Sequence, residues 1–94
     1  MSNEESAALL EQELAKFRDE SYADLVRRME AGSLHIDVTG ATGRNYQVQI
    51  DFFWDDRPGG NLRVAGAVDD SGWRALVPLC RDFIKAPDGS FVGE

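Results

Sequence analysis

Ninety-four residues with 43% hydrophobic content describe a small chain with apolar mass for a modest core, which rules against wholesale disorder. The net charge is −7, and acids outnumber bases eight to four in residues 1–32 and nine to six in the rest. No basic stripe exists for phosphate backbones or anionic lipid headgroups, so neither nucleic acid nor a membrane surface is an expected partner.

The longest apolar run, Ala75 to Cys80, is six residues and too short to span a bilayer. The start, Met1-Ser2-Asn3-Glu4-Glu5, is acidic where a signal peptide begins basic, and the single cysteine, Cys80, cannot form an internal disulfide. These features lead to the expectation of a cytoplasmic protein.

The first third has a helical pattern. Ser2 or Asn3 can cap, Glu4 and Glu5 suit a helix start, and Leu10, Leu14 and Phe17 recur at helical spacing. The pattern pauses at Asp19-Glu20-Ser21. Ser21 followed by Asp24 resembles a capping box, Tyr22, Leu25, Val26 and Met29 continue the stripe, and Gly32 supplies a stop. One kinked helix and two helices both fit this pattern; two are preferred, the second over about Tyr22 to Ala31.

From Ser33 the period becomes two. Leu34, Ile36 and Val38 alternate with His35, Asp37 and Thr39, and Gly40-Ala41-Thr42-Gly43 turns the chain. Tyr46, Val48, Ile50, Phe52 and Trp54 share one face of a long second strand, opposite Gln47, Gln49, Asp51 and Phe53. Pro58-Gly59 fits the centre of a type II turn, and Leu62, Val64, Gly66 and Val68 mark the apolar face of a third strand. After Asp69-Asp70-Ser71-Gly72 a fourth strand is expected from Trp73 to about Pro78, with Trp73 under the helices beside Trp54. Phe83-Ile84 and Phe91-Val92, around Pro87-Asp88-Gly89-Ser90, read as a small terminal hairpin. The expected fold is α+β in a single domain over residues 1–94. One or two helices within residues 1–32 pack on one face of a four- to five-stranded antiparallel meander within 33–94.

Gly59-Gly60-Asn61-Leu62-Arg63-Val64, Asp69-Asp70-Ser71-Gly72-Trp73-Arg74 and the closing phrase Pro87-Asp88-Gly89-Ser90-Phe91-Val92-Gly93-Glu94 resemble a family of small uncharacterised bacterial proteins. The resemblance covers residues 44–94 and implies a helical start before a Trp-containing antiparallel sheet. The chain departs from it at Ser71, where a second glycine is usual, and at Leu76-Val77, where aromatics are common. It implies no activity.

No chemical motif stands out. Asp55-Asp56 and Asp69-Asp70 belong to turns at opposite ends of a meander, and position twelve counted from Asp69 is Cys80 rather than the bidentate Glu of a calcium loop. One Cys and one His do not make a zinc site, so no metal and no cofactor is expected. Cys80 with His35 could form an activated thiol, with Arg81 assisting, but a structural thiol reads better.

The polar sheet face is the better candidate. Alternation places His35, Asp37, Gln47, Gln49, Asp51 and Arg63 on it, with Arg74 expected alongside. Arginine and carboxylate opposed across strands is first a register-fixing device. Phe53 breaks the pattern by sharing this face, either within a bulge, under the terminal hairpin, or as an exposed anchor. The functional expectation is a non-enzymatic interaction module, with a protein partner or a second copy of the chain held through Phe53, Arg63, Arg74, Asp37, Gln49 and Asp51. A small thiol enzyme using Cys80 and His35 is the alternative.

Overall fold

The computed structural model describes residues 2–70 and 79–94. In chain order it contains α1 (Ser2–Arg18), α2 (Tyr22–Ala31), β1 (Leu34–Thr39), β2 (Asn45–Trp54), β3 (Leu62–Asp70) and β4 (Leu79–Lys85). The strands form one antiparallel sheet in the order β1-β2-β3-β4. Helix α1 lies over β3 and β4, and α2 over β2 and β3. The fold is α+β, with two helices rather than one kinked helix.

The break between the helices has a local cause. Ser21 is extended (φ −67°, ψ 158°), and its Oγ accepts the Asp24 N–H at 3.1 Å, so α2 starts afresh with its own cap. The cap expected for α1 at Ser2 or Asn3 falls on side chains outside the described set. Helix α2 ends where the Gly32 N–H reaches the carbonyls of Arg28 and Met29. Between β2 and β3, the Gly60 N–H donates to Arg57 O at 2.9 Å and Gly59 has φ +81°, the positive value that the second central position of a type II turn demands.

The strand alternation becomes an inner and an outer face. Tyr46, Val48, Ile50 and Phe52 of β2, Leu62, Val64 and Val68 of β3, and Phe83 of β4 are buried against Leu10, Leu14 and Phe17 of α1 and Leu25 of α2. At the centre, Gly66 lets α1 approach closely. A Cβ built there would lie 2.8 Å from Leu10 Cδ1, 3.1 Å from Ile50 Cδ1 and 3.2 Å from Leu14 Cδ2.

One strand stands where the sequence suggests only a terminal hairpin. The strand expected from Trp73 to about Pro78 falls outside the described residues, and Leu79–Lys85 pairs with β3. Its alternation has a physical logic: Phe83 faces the core opposite Val64, and Lys85 follows on the same face opposite Leu62. The expected terminal hairpin shrinks to one bridge, Lys85 with Phe91, around the Pro87–Gly89 turn. The placements expected for Trp73 and Arg74 lie outside the described residues.

Helix α1 is tied to the sheet at both ends. Near its start, the Glu5 carboxylate accepts hydrogen bonds from Tyr46 OH (2.7 Å), Thr42 Oγ1 (2.8 Å) and the Thr42 N–H (3.1 Å). These bonds, Tyr46's foremost, hold the Glu5 pKa below the usual carboxylate value. At its end, Lys85 runs its buried stem under the helix and donates through Nζ to Arg18 O (2.9 Å) and Glu20 O (2.6 Å). An ammonium there satisfies carbonyls that a helix C-terminus leaves open and complements its dipole. The Arg18 guanidinium stacks 4.2 Å from the Phe91 ring centre and pairs with Glu94.

Two outcomes follow from this packing. Gly66→Val should lower unfolding free energy by about 1–3 kcal/mol in denaturant titration, the usual cost of overfilling a packed site. A neutral result would show that α1 does not press on β3. Glu5 supplies the second. A carboxylate with a depressed folded pKa adds stability that is present above its unfolded value and lost as pH falls through the folded one. Glu94, Asp56 and Asp88 are shifted the same way. Thermal melting should therefore decline as pH drops below the ordinary carboxylate range. Glu5→Gln should melt lower at neutral pH and lose less on acidification; an equal acid loss in both proteins would remove Glu5 from this role.

Candidate functional site

The outer face is built from the odd-numbered residues of β1, β2 and β3 and the even-numbered ones of β4, which the register arranges in rows across the strands. One row is Asp37, Gln47 and Asp69; the next is His35, Gln49, Ala67 and Cys80. Then come Asp51, Ala65 and Asp82, and last Phe53, Arg63 and Ile84. Ala65 and Ala67 are short side chains on a central strand, so the middle of the face is low. A shallow depression of about 270 Å³ lies over the first two rows, bordered by His35, Asp37, Gln47, Gln49 and Asp69 with Ala67.

Phe53 is exposed, at 43% of its possible surface. The register between β2 and β3 runs without interruption from Tyr46 opposite Asp70 to Trp54 opposite Leu62, so no bulge turns the ring away. The terminal segment does not cover it either. That segment is committed to the other side, where Phe91 meets Phe83 edge-on at 5.9 Å and Glu94 pairs with Arg18. The apolar ring therefore stands in water.

Its cross-strand neighbour is fixed. Arg63 donates through Nε to Asp55 at 2.9 Å, approaches the same carboxylate through a second nitrogen at 2.7 Å, and pairs with Asp82 on β4. These carboxylates, Asp55 first, raise the guanidinium pKa further above its ordinary value. Arg63 thus links the β2–β3 end to β4 and has its charge neutralised within the protein. Asp51 accepts from Gln49 Nε2 at 3.1 and 3.3 Å and from Ser33 Oγ. Among the described residues, this face carries Asp37, Asp51, Asp69 and Asp82 against one arginine that is already engaged.

Of the six residues singled out from the sequence, the structure brings Asp37, Gln49, Asp51, Phe53 and Arg63 onto one face, and Arg74 lies outside the described residues. His35 and Cys80 share a row but occupy the two outer strands, with Gln49 and Ala67 between them. Three strand spacings separate them by about 14 Å, far beyond the hydrogen-bond reach that a thiol–imidazole pair needs. Among the described residues, no three His, Cys, Asp or Glu side chains are grouped to hold a metal ion. No helix among them is long and apolar enough to cross a membrane.

Sequence reasoning misses several contributors to this face. Asp82 lies outside the strand that the sequence suggests beside β3. Asp55 has the pattern of a turn carboxylate, although it holds Arg63. Ala67, a small residue at an outer position of β3, is the available signal for the depression. No family model matches the chain, and no curated protein or solved structure matches it either.

Proposed function

We propose that this chain is a non-enzymatic, cytoplasmic interaction module that holds a protein partner on the outer face of its sheet, with Phe53 as the apolar anchor. The observation that carries the reading is the exposed Phe53 ring on an unbroken strand, beside an arginine whose position is already fixed. An aromatic ring left 43% exposed at the end of a polar face gains only part of its burial energy on folding, whereas at an interface such a ring supplies large contact area at low entropic cost. The preset Arg63, Asp51 and Gln49 side chains form a polar rim that would lose little freedom when a partner docks. An acidic chain without a basic stripe is unsuited to nucleic acid or anionic membranes, which leaves protein as the partner class.

A photo-crosslinking residue at Gln49, in the middle of the face, tests this against the same residue at Arg27 on the exposed side of α2. Partner adducts should form from position 49, not from position 27, and should be lost when Phe53→Ser is added, because truncating an interface anchor costs about 2 kcal/mol or more of binding. Phe53→Ser by itself should change unfolding free energy by less than about 1 kcal/mol, as for other exposed positions. Adducts indifferent to Phe53, or equal from both positions, would reject the outer face as the docking surface.

A further inference from the structure

The two edges of the sheet are finished differently. On β4, the terminal segment covers the end of the strand: the Val92 N–H donates to Ile84 O at 2.9 Å, and Phe91 bridges Lys85. On β1 nothing comparable is present among the described residues. The strand Leu34–Thr39 contains neither proline nor lysine and pairs with β2 without a bulge, so three of the devices that blunt an edge are absent from it. The helices lie over β2, β3 and β4, and Leu34, Ile36 and Val38 are only half-buried on the inner face of β1.

The hydrogen-bond phase of this edge follows from its turn. The Gly40 N–H donates to Arg44 O at 2.8 Å, which makes Gly40 and Arg44 a hydrogen-bonded pair. Such pairs alternate along an antiparallel ladder. Val38, Ile36 and Leu34 therefore turn their N–H and C=O groups toward Tyr46, Val48 and Ile50, and Asp37 and His35 turn theirs outward. The far end of the sheet agrees independently. The Asp55 N–H donates to Asn61 O at 2.8 Å, so the odd residues of β2 bond to β3 and only its even residues remain for β1.

We infer that the occupant of this edge is a second copy of the chain, joined β1 to β1 in antiparallel fashion about a two-fold axis at Ile36. An added strand must pair the outward groups of His35 and Asp37 while keeping apolar and polar faces aligned. For two identical strands only a few registers satisfy both conditions. Centring on Asp37 sets two carboxylates opposite each other, and centring on His35 sets two imidazoles opposite. Centring on Ile36 instead sets His35 opposite the partner's Asp37 twice over. It also overlaps Leu34 to Val38, five of the six strand residues, with Leu34 beside the partner's Val38 and Ile36 beside the partner's Ile36 on the inner face. The segment is thus self-complementary in backbone hydrogen bonding, in side-chain pairing of an imidazole with a carboxylate, and in its apolar row, as an isologous interface requires. The product is a continuous eight-stranded sheet. This edge is distinct from the Phe53 end of the outer face and does not depend on the partner proposed for it.

Sedimentation velocity of the full chain over a rising concentration series tests the inference. Wild type should convert from monomer to dimer. Asp37→Pro deletes an N–H that points away from β2, so it should abolish the dimer while leaving thermal melting of the monomer close to wild type. His35→Glu opposes two carboxylates at each pair and should weaken dimerisation roughly tenfold. His35→Glu combined with Asp37→Lys should restore it, because the carboxylate pair is then replaced by one of opposite charge. In a Cys80→Ser background, Ile36→Cys should crosslink under mild oxidation, since a non-hydrogen-bonded antiparallel pair places Cα atoms within disulfide reach. A wild type that stays monomeric throughout would overturn the inference. So would a dimer indifferent to both Asp37→Pro and His35→Glu, or failure of the charge-swapped double variant to recover.

Discussion

Leu10 seated over Gly66 is the contact on which the remaining packing depends. Leu10 has no exposed surface, and a side chain at position 66 would meet it within 2.8 Å. The missing Cβ lets the axis of α1 settle close to β3, which in turn brings Leu14 and Phe17 into contact range of the inner face. Phe17 then meets Phe52 edge-on at 5.5 Å, and Arg28 from α2 stacks 5.0 Å from the Phe17 ring centre while pairing with Glu20. One side chain of the second helix thereby reaches the first. Polar ties at Glu5 and Lys85 fix how far α1 can slide along the sheet, because each joins a helix terminus to a different part of the strand layer.

Placing all helical cover on one face leaves the other face and one edge to do the remaining work. The outer face is low in the middle, acidic along its rows and apolar at Phe53. The β1 edge is regular and self-complementary. These surfaces meet at His35 and Asp37, whose side chains border the outer depression and whose backbone groups line the open edge. Pairing through β1 would join two outer faces into one broad surface with a Phe53 toward each end. A partner bound by such a pair would gain affinity from simultaneous engagement without any new contact.

The sequence made most of the architecture legible because the determining signals are local. The change from helical to two-residue period at Ser33, the cap at Ser21 and the Pro58-Gly59 turn each rest on a few neighbouring residues, and each appears in the structure as expected. The fourth strand was harder. Ala75 to Cys80 is the longest apolar run and draws a strand toward itself, whereas Phe83-Ile84 has the pattern of one side of a terminal hairpin. What decides the pairing is that Phe83 must reach the core opposite Val64 and Lys85 must reach the end of α1, and both are long-range conditions. The same limit hid Arg18 with Glu94, 76 positions apart, and Arg63 with Asp82. For the candidate site, the break in alternation at Phe53 was visible in the sequence. Its exposure was not, because that depends on where the terminal segment packs. The distance between His35 and Cys80 likewise becomes readable only when strand order and register are known.

The packing makes α1 and the sheet share one core, locked where Leu10 meets Gly66, and so implies one cooperative unit. Native-state hydrogen exchange, followed amide by amide across low denaturant concentrations, measures this most directly. Amides of α1 from Leu10 to Phe17 and those of the β2–β3 ladder should exchange through one common opening with the free energy of global unfolding. Exchange of the α1 amides through a separate opening of lower free energy, with the β2–β3 ladder still protected, would contradict it.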